Sequence, residues 1–193
     1  MTDLRARRHR ETRAEIVAAG LRLFDEHGYD AVTMEQIAAA AGVSRRTLYR
    51  HFPAKDRILL DLPLEWMAMW DDVVAAAPAD LPPRDVVERA ARVIGAHLDA
   101  EAGRIGIAWR IIDSVPALEP AFLANPTWTE RVVAVMEDPA RGAPLDRRIA
   151  VIVAGAYLGA LDAAMLAWAA GAGGDTVADT IELIIERLAP IWP

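Results

Sequence analysis

The 193-residue chain has no cysteine, and Lys55 is its only lysine. Without thiols it forms no disulfide and no thiolate metal site, which suits a reducing cytoplasm. Period-two alternation of apolar residues is missing, so strands are not expected. The start, MTDLRARRHR, is basic, but a polar ETRAE follows it where a secretory signal would carry an apolar run. There is no phosphate loop, no G-x-S-x-G and no HExxH, and no nucleophile stands in a pattern with a base. An enzyme is therefore not expected, nor a cofactor or metal. His97 and Glu101 are i, i+4, but two ligands are too few for a metal site. They read as a solvated surface pair, with Asp99 pointing elsewhere.

Positive charge is scarce overall but concentrated locally. Residues 1–57 carry 11 Lys+Arg against 8 Asp+Glu, a net of +3, and residues 58–193 carry 10 against 20, a net of -10, which together give the chain's -7. A basic module that meets a polyanion, attached to an acidic body, is the arrangement this suggests. With 54% hydrophobic residues the chain can bury a full core. Ile149–Ala172 is long enough to span a bilayer, but it is rich in alanine and glycine and has Asp162 near its middle. A helix buried in protein is expected, not a membrane span.

Apolar residues recur at helical spacing, so the fold class is all-α. A first helix from near Arg10 to Gly28 carries Ile16, Ala19, Leu23 and Phe24. Residues 1–9, with Arg5, Arg7, Arg8 and neighbouring Arg10, read as a flexible basic arm that follows DNA or is simply a tail. Thr33-x-x-Gln36 is a capping box that opens a second helix ending at Gly42. Ser44 caps a short third helix to about His51, and Pro53 stops it. A fourth runs from near Ala54 to Ala77, kinked or broken at Pro63. Further helices are expected over Arg84–Ala100, Ile105–Val115, Pro126–Asp138 and Leu145–Gly171, with Asp175 capping a last one to about Leu188. The boundary at residue 57 separates a basic head from a body, residues 58–193.

In the head, Ile37, Ala41, Val43 and Leu48 can form a small core around a tight turn at Gly42, the spacing of a helix-turn-helix. Leu48 and Phe52 turned inward leave Arg45, Arg46, Tyr49 and Arg50 outside, on an element that fits the DNA major groove. Arg45 and Arg46 sit where base edges are read. Ser44, Thr47, Tyr49 and His51 are candidates for phosphate contacts, though His51 suits packing against the first helix equally well, and Thr33 is a further DNA-binding candidate. Lys55, at the start of the fourth helix, is a candidate anion site.

Residues 12–59 resemble the DNA-binding domain of the TetR family of transcriptional regulators. The matching positions are Ile16, Ala19, Leu23, Phe24, Gly28, Tyr29, Thr33, Ile37, Ala38, then Ala41–Ser44, Thr47–Tyr49, His51, Phe52, Lys55, Ile58 and Leu59. The resemblance implies a nine- or ten-helix, TetR-like subunit with a C-terminal ligand-binding and dimerisation domain. It implies a homodimer built on the last two long helices, a palindromic double-stranded operator and a small effector that releases repression. An activator, or a DNA-binding module with no effector, is the alternative.

The body carries six tryptophans. Trp66 and Trp70 share a helix face, and with Trp109, Trp128 and Met165 they read either as core or as the walls of a pocket for a small apolar or aromatic effector. Asp162 needs a partner if ionised: Arg110, a group across a dimer seam, or a cationic effector. The structural pair is the expected one.

Overall fold

The structure is a computed structural model that describes residues 2–118, 126–142, 144–171 and 176–192. Among these residues it is helical with no strand. The order is α1 (Thr2–His27), α2 (Met34–Ala40), α3 (Arg45–His51), α4 (Asp56–Leu59), α5 (Asp61–Ala76), α6 (Pro83–Ala100), α7 (Ala102–Ser114), α8 (Pro126–Met136), α9 (Arg147–Ala169) and α10 (Val177–Leu188).

Local chemistry sets the boundaries of the head. Gly28 and Gly42 adopt left-handed φ angles of 82° and 65°, which stop α1 and turn the chain after α2. The Thr33 N–H donates to Gln36 Oε1 at 2.8 Å and the Gln36 N–H returns to Thr33 Oγ1 at 3.3 Å, closing the capping box. The Thr47 N–H donates to Ser44 Oγ at 3.1 Å and starts α3. Ile16 and Phe24 of α1, Ile37 of α2, and Leu48 with Phe52 at α3 are all fully buried. Ala41 and Val43, at the turn, are only partly buried against that core.

Two expectations for the first half change. α1 begins at Thr2, so the basic arm continues the helix. Alanine and arginine favour helix, and Arg7 Nε donates to Glu11 Oε1 at 2.7 Å one turn on. The side chain of Arg5 lies outside what the structure describes. The fourth helix divides at Leu60, before Pro63. Proline crowds the carbonyl four residues back, here that of Leu59, where α4 ends. Its missing N–H then falls in the first turn of α5, where no intrahelical acceptor exists.

In the body, α6 packs on α5, α8 and α10, while α9 meets α7, α8 and α10. Asp99 turns towards α10 and accepts its first N–H groups, from Val177 at 2.7 Å and Ala178 at 3.0 Å. His97 reaches Glu65 at 3.4 Å, not Glu101. Arg141 is buried, and its guanidinium donates to the carbonyls of Pro78 (3.0 Å) and Val74 (3.3 Å) at the end of α5. Asp175 lies outside the described residues, and Thr176 is the N-cap of α10, in a capping box with Asp179.

α9 departs from the expected buried helix. It is the one helix among the described residues long and apolar enough to cross a membrane, with a mean hydropathy of 2.0, yet only 28% of its most apolar stretch is buried in the subunit. Ile152 is 69% exposed, and a Cβ at Gly155 or Gly159 would meet no described residue within 4 Å.

Candidate DNA-binding face and effector cavity

The face of α3 follows from which residues its core claims. Leu48 and Phe52 point in, so Arg45, Arg46, Tyr49 and Arg50 stand outside. Ser44 and Thr33 are exposed beside them, and Thr47 is half-buried with its hydroxyl 2.9 Å from that of Ser44. Arg45 leans on Glu35 of α2 in an exposed ion pair. Such a pair is worth about 0–1 kcal/mol and costs little to exchange.

Two candidate phosphate contacts are turned away from this face. His51 is 7% exposed and stacks on His9 of α1, ring centroids 4.2 Å apart. Burial, then the neighbouring His9, pushes its pKa down and favours the neutral ring. Lys55 Nζ donates to the carbonyls of Tyr29 at 2.6 Å, Val32 at 3.0 Å and Asp30 at 3.4 Å, and lies 4.2 Å from the Tyr29 ring centre. All three ammonium protons thus have acceptors in the α1–α2 loop. Lys55 is a staple within the head, and α4 behind it is only four residues long.

Arg13, which the sequence reading did not single out, ties head to body. Its Nε donates to Asp61 Oδ1 of α5 at 2.6 Å, one Nη to the His51 carbonyl at 3.2 Å, and the guanidinium stacks over Phe52 at 4.3 Å. A second tie joins Arg110 of α7 to Asp25 of α1 at 3.1 Å. Arg110 is therefore not the partner expected for Asp162.

The body encloses a cavity of about 110 Å³. Trp66, Trp70, Trp109, Trp128, Asp162 and Met165 all line it. Trp70 and Trp128 meet edge to face, 6.0 Å apart. Tyr157 completes the aromatic wall, its hydroxyl accepting from Trp192 Nε1 at 2.8 Å. Among the described residues no arginine, lysine or histidine lines the cavity. Asp162 has no ion pair or hydrogen bond to its carboxyl among the described residues, and burial pushes its pKa up to about 7.

Comparison with known proteins gives these features a context. Residues 16–62 match the family model described as bacterial regulatory proteins, tetR family. The HTH-type transcriptional regulator TcmR of Streptomyces glaucescens is 32% identical over 148 residues, which is 69% of this chain and 64% of that protein. The HTH-type transcriptional repressor AcnR of Corynebacterium glutamicum is 36% identical over 64 residues, 33% of this chain and 34% of its own. The chain thus spans under two thirds of the length of these relatives. Thermus thermophilus FadR, a TetR-family repressor solved with lauroyl-CoA, shares the fold at a TM-score of 0.61 with 22% identity, over 94% of this chain and 95% of that one. These relatives are regulators, not enzymes. Residues 16–62 thus belong to the TetR family of bacterial regulatory proteins, and the chain as a whole shares the helical fold of a solved TetR-family repressor.

Proposed function

We propose that the protein is a homodimeric, sequence-specific DNA-binding regulator of transcription, a repressor released when a small molecule occupies the cavity of the body. The observation that carries this reading is the lip of α3. Arg45, Arg46, Tyr49 and Arg50 project from a helix whose opposite side is locked by Leu48 and Phe52. A helix presented this way enters the major groove, and a bidentate arginine–guanine contact discriminates by about 1–3 kcal/mol. Tyr49, Thr47, Ser44 and Thr33 then hold phosphates and fix register.

The open, apolar side of α9 supports the dimer. Ile152, Gly155 and Gly159 form a smooth stripe on which a second subunit's α9 can lie closely, and Leu183 of α10 is exposed as well. A symmetric pair carries two α3 helices, which a palindrome with half-sites about 34–36 Å apart accepts. Effector binding works as a population shift. Pro63, Trp66 and Trp70 put α5 in the cavity wall, and Asp61 of the same helix holds Arg13 of the head. A ligand that moves α5 changes the spacing of the two α3 helices. That FadR binds lauroyl-CoA supports a small-molecule effector in general terms. DNA lies in the bacterial cytoplasm, where the protein then acts.

Selection of bound duplexes from a random pool tests the proposal. A palindromic consensus with half-sites one helical turn apart is expected. Enrichment of no sequence would contradict it. A consensus bound equally at every ligand tried, with no melting shift across a compound library, would leave a DNA-binding module without an effector.

A further inference from the structure

We propose that the cavity is a receptor for a lipophilic organic cation, held between the carboxylate of Asp162 and the faces of the surrounding aromatic rings. This deepens the effector reading and rests on it. Among the described residues the lining is apolar and aromatic, with one acidic group and no basic one. An anionic ligand would face that carboxylate with nothing to balance it. A neutral apolar ligand would leave the carboxyl desolvated and unpaired. A cation supplies the missing partner.

The aromatic walls point the same way. Trp66, Trp70, Trp109, Trp128 and Tyr157 bring five ring systems to one cavity, and aromatic faces attract cations, tryptophan most strongly. The edge-to-face contact of Trp70 with Trp128 turns one ring face of the pair aside from its neighbour. Burial pushes the Asp162 pKa up to about 7, so near neutral pH both forms are accessible and an arriving cation favours the ionised one. The acidic balance of residues 58–193, net -10 from 10 basic and 20 acidic residues, favours approach of cations to the body.

The test uses three ligands with one ring system: the 1-naphthylmethyl-trimethylammonium cation, neutral 1-naphthylmethanol and the 1-naphthoate anion. Binding to the full chain is followed by calorimetry and by the melting shift. The cation should bind about tenfold or more tighter than the neutral compound, with the anion weakest. Asp162→Asn keeps the shape of the protonated side chain and should remove most of the cation's advantage while leaving the neutral compound's affinity within about twofold. Should this variant fail to fold, the ranking of the three ligands on the wild-type protein decides alone. Equal or tighter binding of the neutral compound or the anion overturns the cation and leaves an effector cavity of another chemistry. Binding of none of the three, by a protein that still binds DNA, overturns the cation and the cavity reading together.

Discussion

Asp162 shows how one side chain constrains the whole chain's stability. Its carboxyl has an ordinary value of 3.8 and is pushed up to about 7 in the folded protein by burial. Between these values the unfolded chain gives up the proton while the folded chain keeps it, so stability falls as pH rises across this window and levels off above it. Asp162→Asn should therefore gain stability relative to wild type from pH 4.5 to pH 8, on the order of 1 kcal/mol after allowance for partial solvent contact. Melting temperatures across that range check it, and a difference independent of pH would contradict it. Lys55 gives a second expectation. With its ammonium on three carbonyls, Lys55→Ala should lower stability by about 1–3 kcal/mol yet leave the salt dependence of DNA binding unchanged. Arg50→Ala should instead reduce the log K against log salt slope by about one. A matching loss of slope at Lys55 would put it back on a phosphate. Both capping-box residues of the head and six of the eighteen residues that line the cavity were legible in the sequence, because helical periodicity and a concentration of tryptophan are local signals. The partners of Lys55 and Arg141 were not. Each depends on residues far along the chain, and no spacing rule says which carbonyls a fold leaves open.

At the scale of elements, the sequence located most helices to within a few residues and missed how they join. Pro63 marked a break in the long fourth segment, but steric crowding acts on Leu59, one turn earlier, so the division falls at Leu60. The contact between α6 and α10 was equally hidden. Gly95 has no side chain because Ile181 fills that space, with its Cδ1 2.5 Å from where a Cβ would sit, and Asp99 one turn on caps α10. Asp99→Ala leaves two N–H groups without their acceptor and should cost about 1–2 kcal/mol. Urea unfolding should show a lower midpoint at an unchanged slope, with Asp99→Asn intermediate. A midpoint equal to wild type would mean that α10 is held by its apolar face alone. Loosening α10 also opens one wall of the cavity, since Ile181, Ile184 and Ile185 line it. Ligand affinity should fall along with stability.

For the molecule as a whole, the hydrophobic core runs continuously from Ile16 in the head to Ile185 in the body, and the proposed effector response would travel through these packed side chains. The open stripe on α9 sets the proposed assembly. Gly155→Arg offers a clean probe, because a Cβ there meets no described residue within 4 Å. The variant should fold as wild type does but run as a monomer in light scattering, with operator affinity lowered by on the order of 100-fold or more through loss of the second half-site. A dimer of unchanged stability would place the seam elsewhere. The proposed DNA recognition rests most directly on the arginines of α3, and fluorescence anisotropy on a selected palindrome and a scrambled duplex, at about 0.15 M salt, measures their contribution. Arg45→Ala and Arg46→Ala should each weaken binding to the palindrome by about 1–3 kcal/mol and to the scrambled duplex far less. Equal losses on both duplexes, or a wild-type protein that cannot tell the two apart, would contradict it.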